Sequence, residues 1–533
     1  MPAAMVAVEV VHGRDGRFYR RPRRAGRYGC AVLPSGKVGA GLIMDGGFSM
    51  NKQMNRGWAG MTVLAMALGL QGCGGGGEDT TALVTQIPVN TPAAIAQVSA
   101  DDYNLNENGL ITAATLKRWK DNWLANRPAG ITGKLVILQV SGCLTTSTPA
   151  CPAGVEYIKP NGTSVFTYLS PGSEWIQTRS NGVIETASMV PDGASMDALL
   201  KKYNIDPQND MIVAAMGVGN TGNAMAQGRI WYALRYWGVD KKNLAILNGG
   251  NQWINTNGMG AGDFQATAST APNNGHASVK DLLVDNTQLQ ATVGDMLRVL
   301  PASDTNVLND GVFIWDARNI SQYSAGETST ANTITPVANY MTTFQNSGSR
   351  QGHPWGALQL DFTNMLVAAE GYRYKDKADL QAYLDGNVSG AGFIAGNYQQ
   401  VGFGNAYQPG DVIYTYCETT FRAMITGVAS AVILGKPTRF YDGAMVEWSS
   451  LTPGSVITDA TGKAILPEDS PWRTDAKSFY RAASSPTLVA QRYITDAYAK
   501  SSNAIIEADK AYKYGEVIPT AGTSAPPANP CGG

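Results

Sequence analysis

Cys417 is the residue of this sequence best placed for nucleophilic chemistry. It follows the β-branched and aromatic run Val412–Tyr416, and a polar loop then leads into the apolar stretch Ala423–Leu434. This order predicts a strand, a turn and a helix, which places the thiol at the carboxyl edge of a sheet, where α/β proteins form their sites. The free N–H groups at the start of the helix would stabilise a thiolate there. The same local pattern fits a buried, inert cysteine equally well.

The residues after Cys417 could hold an anionic group on or near its sulfur. Thr419 and Thr420 supply hydroxyl donors, and Arg422 supplies a cation. Glu418 acts in the opposite direction, because a carboxylate beside the sulfur repels a dianionic substrate and disfavours the thiolate.

The chain has few histidines that could take part in catalysis or metal binding. The sequence contains three histidines, of which His353 lies in a turn and is expected to be structural. A cysteine–histidine metal centre or hydrolase site is therefore not expected, and we predict neither a metal nor a cofactor. The glycine-rich loop 216–223 lacks the lysine of a phosphate-binding loop, so we interpret it as a degenerate active loop.

The segment around Cys417 is one copy of an internal repeat. Met211–Trp253 and Asp411–Trp448 each predict a strand, a loop, a helix and a second strand. Continuous apolar strands joined by helices indicate parallel sheets covered on both faces. We therefore predict an α/β fold of two related domains, each a parallel sheet flanked by helices. The predicted elements are the strands Gly133–Val140, Met211–Ala215, Leu244–Leu247, Asp310–Arg318, Val412–Tyr416 and Thr438–Tyr441, and the helices Ala224–Trp237 and Ala423–Leu434.

Four ordered motifs in residues 305–450 resemble those of rhodanese domains, which are sulfurtransferases. They read DGVFIWDARNISQY, GHPWGALQLDF, VIYTYCETTFRA and RFYDGAMVEW. A weaker resemblance covers residues 130–255, which are similar to the catalytically silent first domain of tandem thiosulfate or mercaptopyruvate sulfurtransferases. The loop MGVGNTGN has no cysteine, so this first domain is not expected to carry a persulfide.

The resemblance implies a double displacement at Cys417. The thiolate would attack a sulfane donor, retain the outer sulfur as a persulfide and pass it to an acceptor such as a thiol or cyanide. Backbone N–H groups of residues 418–422 would hold the persulfide. Thiosulfate-selective members often have a neutral or basic residue where Glu418 stands, so the donor stays open. The implied catalytic residues are Cys417 and Arg422, and the implied substrate-binding residues are Glu418, Thr419, Thr420, Phe421, Asp316 and Arg318.

The sequence from Met50 predicts an exported lipoprotein. Basic residues precede a short apolar run and the sequence Leu-Gln-Gly-Cys, which is typical of a signal peptide over 50–72 with lipid attached to Cys73. Residues 1–49 are then interpreted as an upstream extension that is not native. Gly74 is not the aspartate that retains many lipoproteins at the inner membrane, so we expect the outer membrane or its periplasmic face.

Export bears on the other cysteines and on possible partners. Cys143 and Cys151 flank a short loop and are expected to form a disulfide in an oxidising compartment, whereas Cys531 in the C-terminal tail has no assigned role. Residues 1–72 carry ten basic and three acidic residues, which leaves 31 basic and 39 acidic residues and a net charge of −8. A nucleic-acid partner is therefore not expected.

The predicted organisation leaves a second functional hypothesis open. A lipoprotein with an altered rhodanese domain could bind or process a sulfur or selenium oxyanion, such as selenite, as an accessory to an outer-membrane redox complex. Residues after 456 predict a long amphipathic helix that packs on the domains or meets a partner. The predicted boundaries are a tether over 73–100, the first domain over 101–260, a connector over 261–300, the Cys417 domain over 301–455 and an extension with a disordered tail over 456–533.

Overall fold

The computed structural model describes residues 87–181, 184–327, 351–451, 473–480 and 502–515. The predicted signal peptide, Cys73, the start of the predicted tether and Cys531 lie outside the described residues.

One parallel sheet organises the first half of the fold, residues 109–265. Its strands are β1 Gly109–Ile111, β2 Leu135–Gln139, β3 Val165–Leu169, β4 Met211–Ala215 and β5 Leu244–Leu247. They lie in the order β1-β5-β4-β2-β3, and every neighbouring pair is parallel. β2 and β4 are buried along their whole length, as the apolar runs Leu135–Leu138 and Met211–Ala215 predict, and the polar Gln139 that ends β2 is buried with them.

A second parallel sheet organises the second half, residues 290–451. Its strands are β6 Gln290–Ala291, β7 Val312–Asp316, β8 Leu358–Gln359, β9 Val412–Tyr416 and β10 Thr438–Tyr441. They lie in the order β6-β10-β9-β7-β8, which repeats the topology of the first sheet. The predicted α/β class with two parallel sheets flanked by helices is confirmed.

Helices cover the faces of both sheets. The longer ones are α1 Ala113–Asp121, α2 Gly193–Tyr203, α3 Thr221–Tyr236, α4 Val293–Val299, α5 Lys377–Leu384, α6 Phe421–Gly427, α7 Ala444–Ser450 and α8 Ala504–Tyr514. Short helices occupy Pro92–Ile95, Trp123–Asn126, Asn251–Ile254 and Ile320–Tyr323. Antiparallel strand pairs outside the main sheets join Tyr157–Ile158 to Phe264–Gln265, Gln177–Ser180 to Glu185–Met189, Gly352–Pro354 to Ser478–Tyr480, and Leu366–Val367 to Arg373–Tyr374. No helix in the described ranges combines the length and apolar character that crossing a membrane requires.

The helices after the two loops begin earlier than predicted. The predicted first-half helix starts at Ala224, but α3 begins at Thr221 because the Asn220 side chain caps it by accepting from the Asn223 N–H. In the second half, α6 begins at Phe421 and continues as a π-helix over Val428–Ile433.

The N-terminal segment 87–100 is packed against the second half, in contrast to the flexible tether predicted there. The N–H of Gln97 donates to the carbonyl of Ala431, and that of Ser99 donates to the carbonyl of Ile433. Both carbonyls belong to the π-helix, so the segment uses acceptors of the helix that follows the Cys417 loop. The prediction failed because these partners lie more than 300 residues away in sequence.

Two further segments belong to the folded core. The predicted connector 261–300 contributes β6, which pairs with Phe440 and Tyr441 of β10 and forms an edge of the second sheet. In the predicted C-terminal extension, α8 packs on the first half through Asp509, which pairs with Arg179 at 2.6 Å. The described part of the extension therefore packs on the domains.

Candidate active site around Cys417

Cys417 lies at the carboxyl end of β9, where the sequence places it. Its side chain is fully buried, and it is the free cysteine of the described residues. Its carbonyl accepts a hydrogen bond of 3.1 Å from the N–H of Met445, in α7. This hydrogen bond links the backbone of Cys417 to α7, the helix that follows β10.

The loop 417–420 adopts a strained conformation at its last residue. Thr420 has φ +66°, in the left-handed region that a β-branched residue rarely occupies. Its Oγ1 lies 2.9 Å from the carbonyl oxygen of Tyr441 and 3.0 Å from that of Asp442. These contacts hold the strained residue, and they use the hydroxyl that was predicted to bind substrate.

Backbone donors of the loop remain available. In the described part of the chain, no acceptor contacts the N–H groups of residues 418–422. A run of such donors attracts an anion. Residues 418–422 therefore have backbone N–H donors for their predicted role in holding a persulfide.

Glu418 is buried in a polar cluster beneath the loop. Its carboxylate oxygens lie 3.4 Å from Nη1 of Arg318, 3.4 Å from Nε2 of Gln351 and 3.5 Å from Nε2 of Gln322. Burial raises the pKa of Glu418, and the positive charges of Arg318 and Arg422 oppose that rise. The carboxylate is therefore held by protein groups and is partly neutralised by them.

Asp316 and Arg318 form a fully buried ion pair. Arg318 Nη2 lies 2.6 Å from Asp316 Oδ2, and Arg318 Nε lies 2.9 Å from Asp316 Oδ1. The hydroxyl of Tyr416 donates to the same aspartate at 2.8 Å, and Arg318 also donates to the carbonyl of Gly352. The pair thus orients the cluster around Glu418.

The remaining predicted residues lie at the partly exposed side of the loop. Thr419, Phe421 and Arg422 are half-buried. Arg422 Nη1 donates to Oε1 of Gln322 at 2.5 Å. Among the described residues, the site therefore contains two carboxylates, on Asp316 and Glu418, balanced by the two guanidinium groups of Arg318 and Arg422.

Sequence reasoning missed three members of the cluster. Tyr416, Gln322 and Gln351 contact its charged groups, yet none of them was predicted as a site residue. Tyr416 and Gln322 lie inside the quoted motifs, and Gln351 stands just before one, so proximity to a motif was the available signal. His353 is structural, as expected, with Nδ1 2.7 Å from the carbonyl of Tyr323 and Nε2 3.0 Å from Asp304.

The corresponding loop in the first half is contacted by the side chain of Gln252, which lies after β5. The Gln252 Oε1 accepts from the Gly219 N–H at 2.8 Å, and the Gln252 Nε2 donates to the Gly219 carbonyl at 2.9 Å. A disulfide joins Cys143 and Cys151 nearby and packs against Val218 of this loop. The first-half loop therefore lacks a thiol, and the side chain of Gln252 binds the backbone of its Gly219.

No group of three or more His, Cys, Asp or Glu side chains in the described ranges is arranged to hold a metal ion. The thiol of Cys417 and the charged groups around its loop are suited to a thiol reaction on a polarised substrate.

Comparison with solved structures gives distant similarities. The Tum1 protein from Saccharomyces cerevisiae is 14% identical with a TM-score of 0.42, over 64% of this chain and 95% of Tum1. SseA from Escherichia coli, a 3-mercaptopyruvate sulfotransferase described as having the rhodanese fold, is 17% identical with a TM-score of 0.39, over 63% of this chain and 98% of SseA. The 3-mercaptopyruvate sulfurtransferase from Leishmania major is 14% identical with a TM-score of 0.40, over 65% and 75% of the two chains.

A scan against protein-family models gives no match, and a search of curated proteins gives none either. The α/β fold of this chain follows from its two sheets, and any assignment of activity depends on the geometry of the Cys417 site.

Proposed function

We propose that this protein is a sulfurtransferase that carries sulfane sulfur on Cys417. The observation that carries the proposal is the free thiol at the end of β9, followed by the N–H groups of residues 418–422 with no acceptor in the described chain. A persulfide on Cys417 would place a terminal sulfur anion beside donors able to hold it. The motif order in residues 305–450 supports the same chemistry.

The reaction is a double displacement. The Cys417 thiolate attacks the outer sulfur of the donor, and the bond from that sulfur to the leaving group breaks with its electron pair on the leaving group. Sulfur remains on Cys417 as a persulfide. A thiol or cyanide acceptor then attacks the terminal sulfur, and the S–S bond electrons return to Cys417 as the thiolate.

The charges around the loop favour some donors over others. Among the described residues of the cluster, Asp316 and Glu418 offset Arg318 and Arg422, so these four groups supply no surplus positive charge for a dianion such as thiosulfate. We therefore propose a donor of lower charge, such as mercaptopyruvate or an organic persulfide. Since Cys417 is fully buried, the donor reaches it only when the residues that cover it move.

The cellular setting belongs to the same proposal. The sequence from Met50 to Cys73 supports export and a lipid anchor on Cys73 at the outer membrane or its periplasmic face.

The oxyanion-binding hypothesis is less well supported by the geometry. Arg318 already contacts Asp316, Gln351 and Glu418, so its guanidinium is not free to receive an oxyanion.

Mass spectrometry of the full chain tests the proposal. The protein is incubated separately with thiosulfate, mercaptopyruvate, polysulfide and selenite, and the peptide that contains Cys417 is analysed without reduction. We expect the mass of one added sulfur atom on that peptide with mercaptopyruvate or polysulfide, and loss of the added mass after cyanide. A Cys417→Ser variant should carry none. An unmodified Cys417 with all donors, or full transfer by Cys417→Ser, would contradict the proposal and leave an inert buried thiol.

A further inference from the structure

Two neighbouring residues of α3, Gly228 and Arg229, contact two segments that adjoin the Cys417 loop. These segments are α6 and the residue that follows β10. α3 belongs to the first half, which has no cysteine in its own loop, and it packs against α6 directly after the Cys417 loop. Gly228 permits the close approach, because a Cβ built there would lie 2.9 Å from the Cβ of Met424 in α6. The next residue, Arg229, reaches the other side of the loop.

Arg229 forms a fully buried ion pair with Asp442. Its Nη1 lies 2.6 Å from Asp442 Oδ1, and its Nη2 lies 3.1 Å from Asp442 Oδ2. Nη2 also donates to the carbonyl of Ser188 at 2.6 Å, while Asp442 accepts from the N–H of Val190 at 2.7 Å. The planar guanidinium and these extra bonds fix the position of Asp442 relative to the first half.

Asp442 in turn supports the strained residue of the loop. It directly follows β10, and its carbonyl oxygen lies 3.0 Å from Thr420 Oγ1, next to the contact from Tyr441 at 2.9 Å. Thr420 needs such support because its φ of +66° is unfavourable for a β-branched side chain. Thr420 lies between residues 418–419 and residues 421–422, so its conformation fixes the N–H groups of the one pair relative to those of the other.

We infer that Arg229 is a positioning residue for the Cys417 loop and acts through Asp442 and Thr420. The first half, which has no nucleophile of its own, thereby contributes to the reactivity of the second. This inference rests on the proposed function for its catalytic consequence, but the coupling of Arg229 to the reactivity of the thiol does not depend on sulfur transfer.

Removal of Arg229 alone would leave Asp442 as a buried, unpaired carboxylate and could unfold the protein. The test therefore uses the double variant Arg229→Met/Asp442→Asn, which removes both charges and retains an amide near the N–H of Val190. The matched control is Lys134→Met/Asp210→Asn, which removes another ion pair of the first half, at 2.8 Å, between the residues that directly precede β2 and β4. Both variants are compared with the wild-type full chain.

The first readout is the rate of Cys417 alkylation by iodoacetamide as a function of pH. We expect a shifted pH midpoint or an altered limiting rate in Arg229→Met/Asp442→Asn, and the wild-type profile in the control variant. The second readout is sulfur transfer, where kcat should fall by about tenfold or more, because a small displacement of a reacting group is costly. Thermal unfolding measures the stability loss of both variants.

The outcomes separate the inference from the proposed function. A wild-type alkylation profile and kcat in folded Arg229→Met/Asp442→Asn, or equal changes in both double variants, would overturn the positioning role. A wild-type protein that accepts no sulfur would end the proposed function, while the alkylation comparison would still decide whether Arg229 controls the thiol.

Discussion

Replacement of Glu418 by glutamine should shift donor preference toward thiosulfate. The carboxylate is buried beside Cys417, and its removal leaves Arg318 paired with Asp316 at 2.6 Å, so no buried cation loses its partner. The carbonyl oxygen of the new amide can accept from Gln351 or from Arg318 and Gln322, whereas its NH2 group faces the donors of the other side. The substitution therefore changes charge with little change in shape.

The size of the effect follows from Coulomb's law. With an effective dielectric constant of ~20 and a separation of roughly 7 Å between adjacent side chains, each unit of negative charge on the donor is repelled by about 2 kcal/mol. A dianion thus gains about 2 kcal/mol more than a monoanion from Glu418→Gln, which is roughly thirtyfold in relative kcat/KM. Because burial raises the pKa of Glu418, partial protonation would reduce this factor.

The assay measures kcat/KM for thiosulfate and for mercaptopyruvate with the same acceptor, in the wild type and in Glu418→Gln. The control is Glu174→Gln, which removes a carboxylate of the first half that pairs with Lys202. We expect the ratio of thiosulfate to mercaptopyruvate to rise in Glu418→Gln and to stay constant in the control. A ratio that is unchanged in Glu418→Gln, or that moves toward mercaptopyruvate, would refute the electrostatic reasoning.

Three further predictions concern the loop, stability and pH. Thr420→Val removes the hydroxyl that holds the strained loop residue and should lower sulfur transfer by about tenfold; an unchanged kcat would show that the hydroxyl is dispensable. Burial lowers the pKa of Lys513 from 10.5 to about 8. The unfolded chain then binds more protons between these values, so the unfolding free energy should rise with pH from 8 to 10.5 by up to about 3 kcal/mol. Urea unfolding of the wild type and of Lys513→Met, measured across this pH range, should show that rise in the wild type alone. If the unfolding free energies of both proteins changed with pH in the same way, the prediction would be contradicted. Replacing Cys143 and Cys151 by serine opens a short loop and should lower the unfolding free energy by about 2–3 kcal/mol, whereas unchanged urea unfolding would argue against a stabilising disulfide.

The difference between the two loops suggests why a repeated unit can hold one site. Both loops follow the central strand of a sheet with the same topology. In the first half, Gln252 satisfies Gly219 from within the same unit. In the second, the N–H groups of residues 418–422 have no such partner in the described chain. The first loop thus differs from the second by the absence of a thiol and by the contacts of Gln252 with Gly219.

The sequence by itself determined the elements and the position of the thiol. The bounds of β4, β5, β9 and β10 match the predictions residue for residue, because a short apolar run with turn residues at both ends carries its strand signal locally. The position of Cys417 at the end of β9 follows from the same local pattern.

Only the tertiary structure decided what surrounds the thiol. The burial of Glu418 depends on Arg318 and Gln351, which are 100 and 67 residues away. The contact of Arg229 with Asp442 spans 213 residues. Such partners leave no periodic trace in the chain, because a side-chain ion pair requires only that folding brings two complementary groups together. The charge balance at Cys417, on which the proposed choice of sulfur donor depends, is therefore a property of the fold.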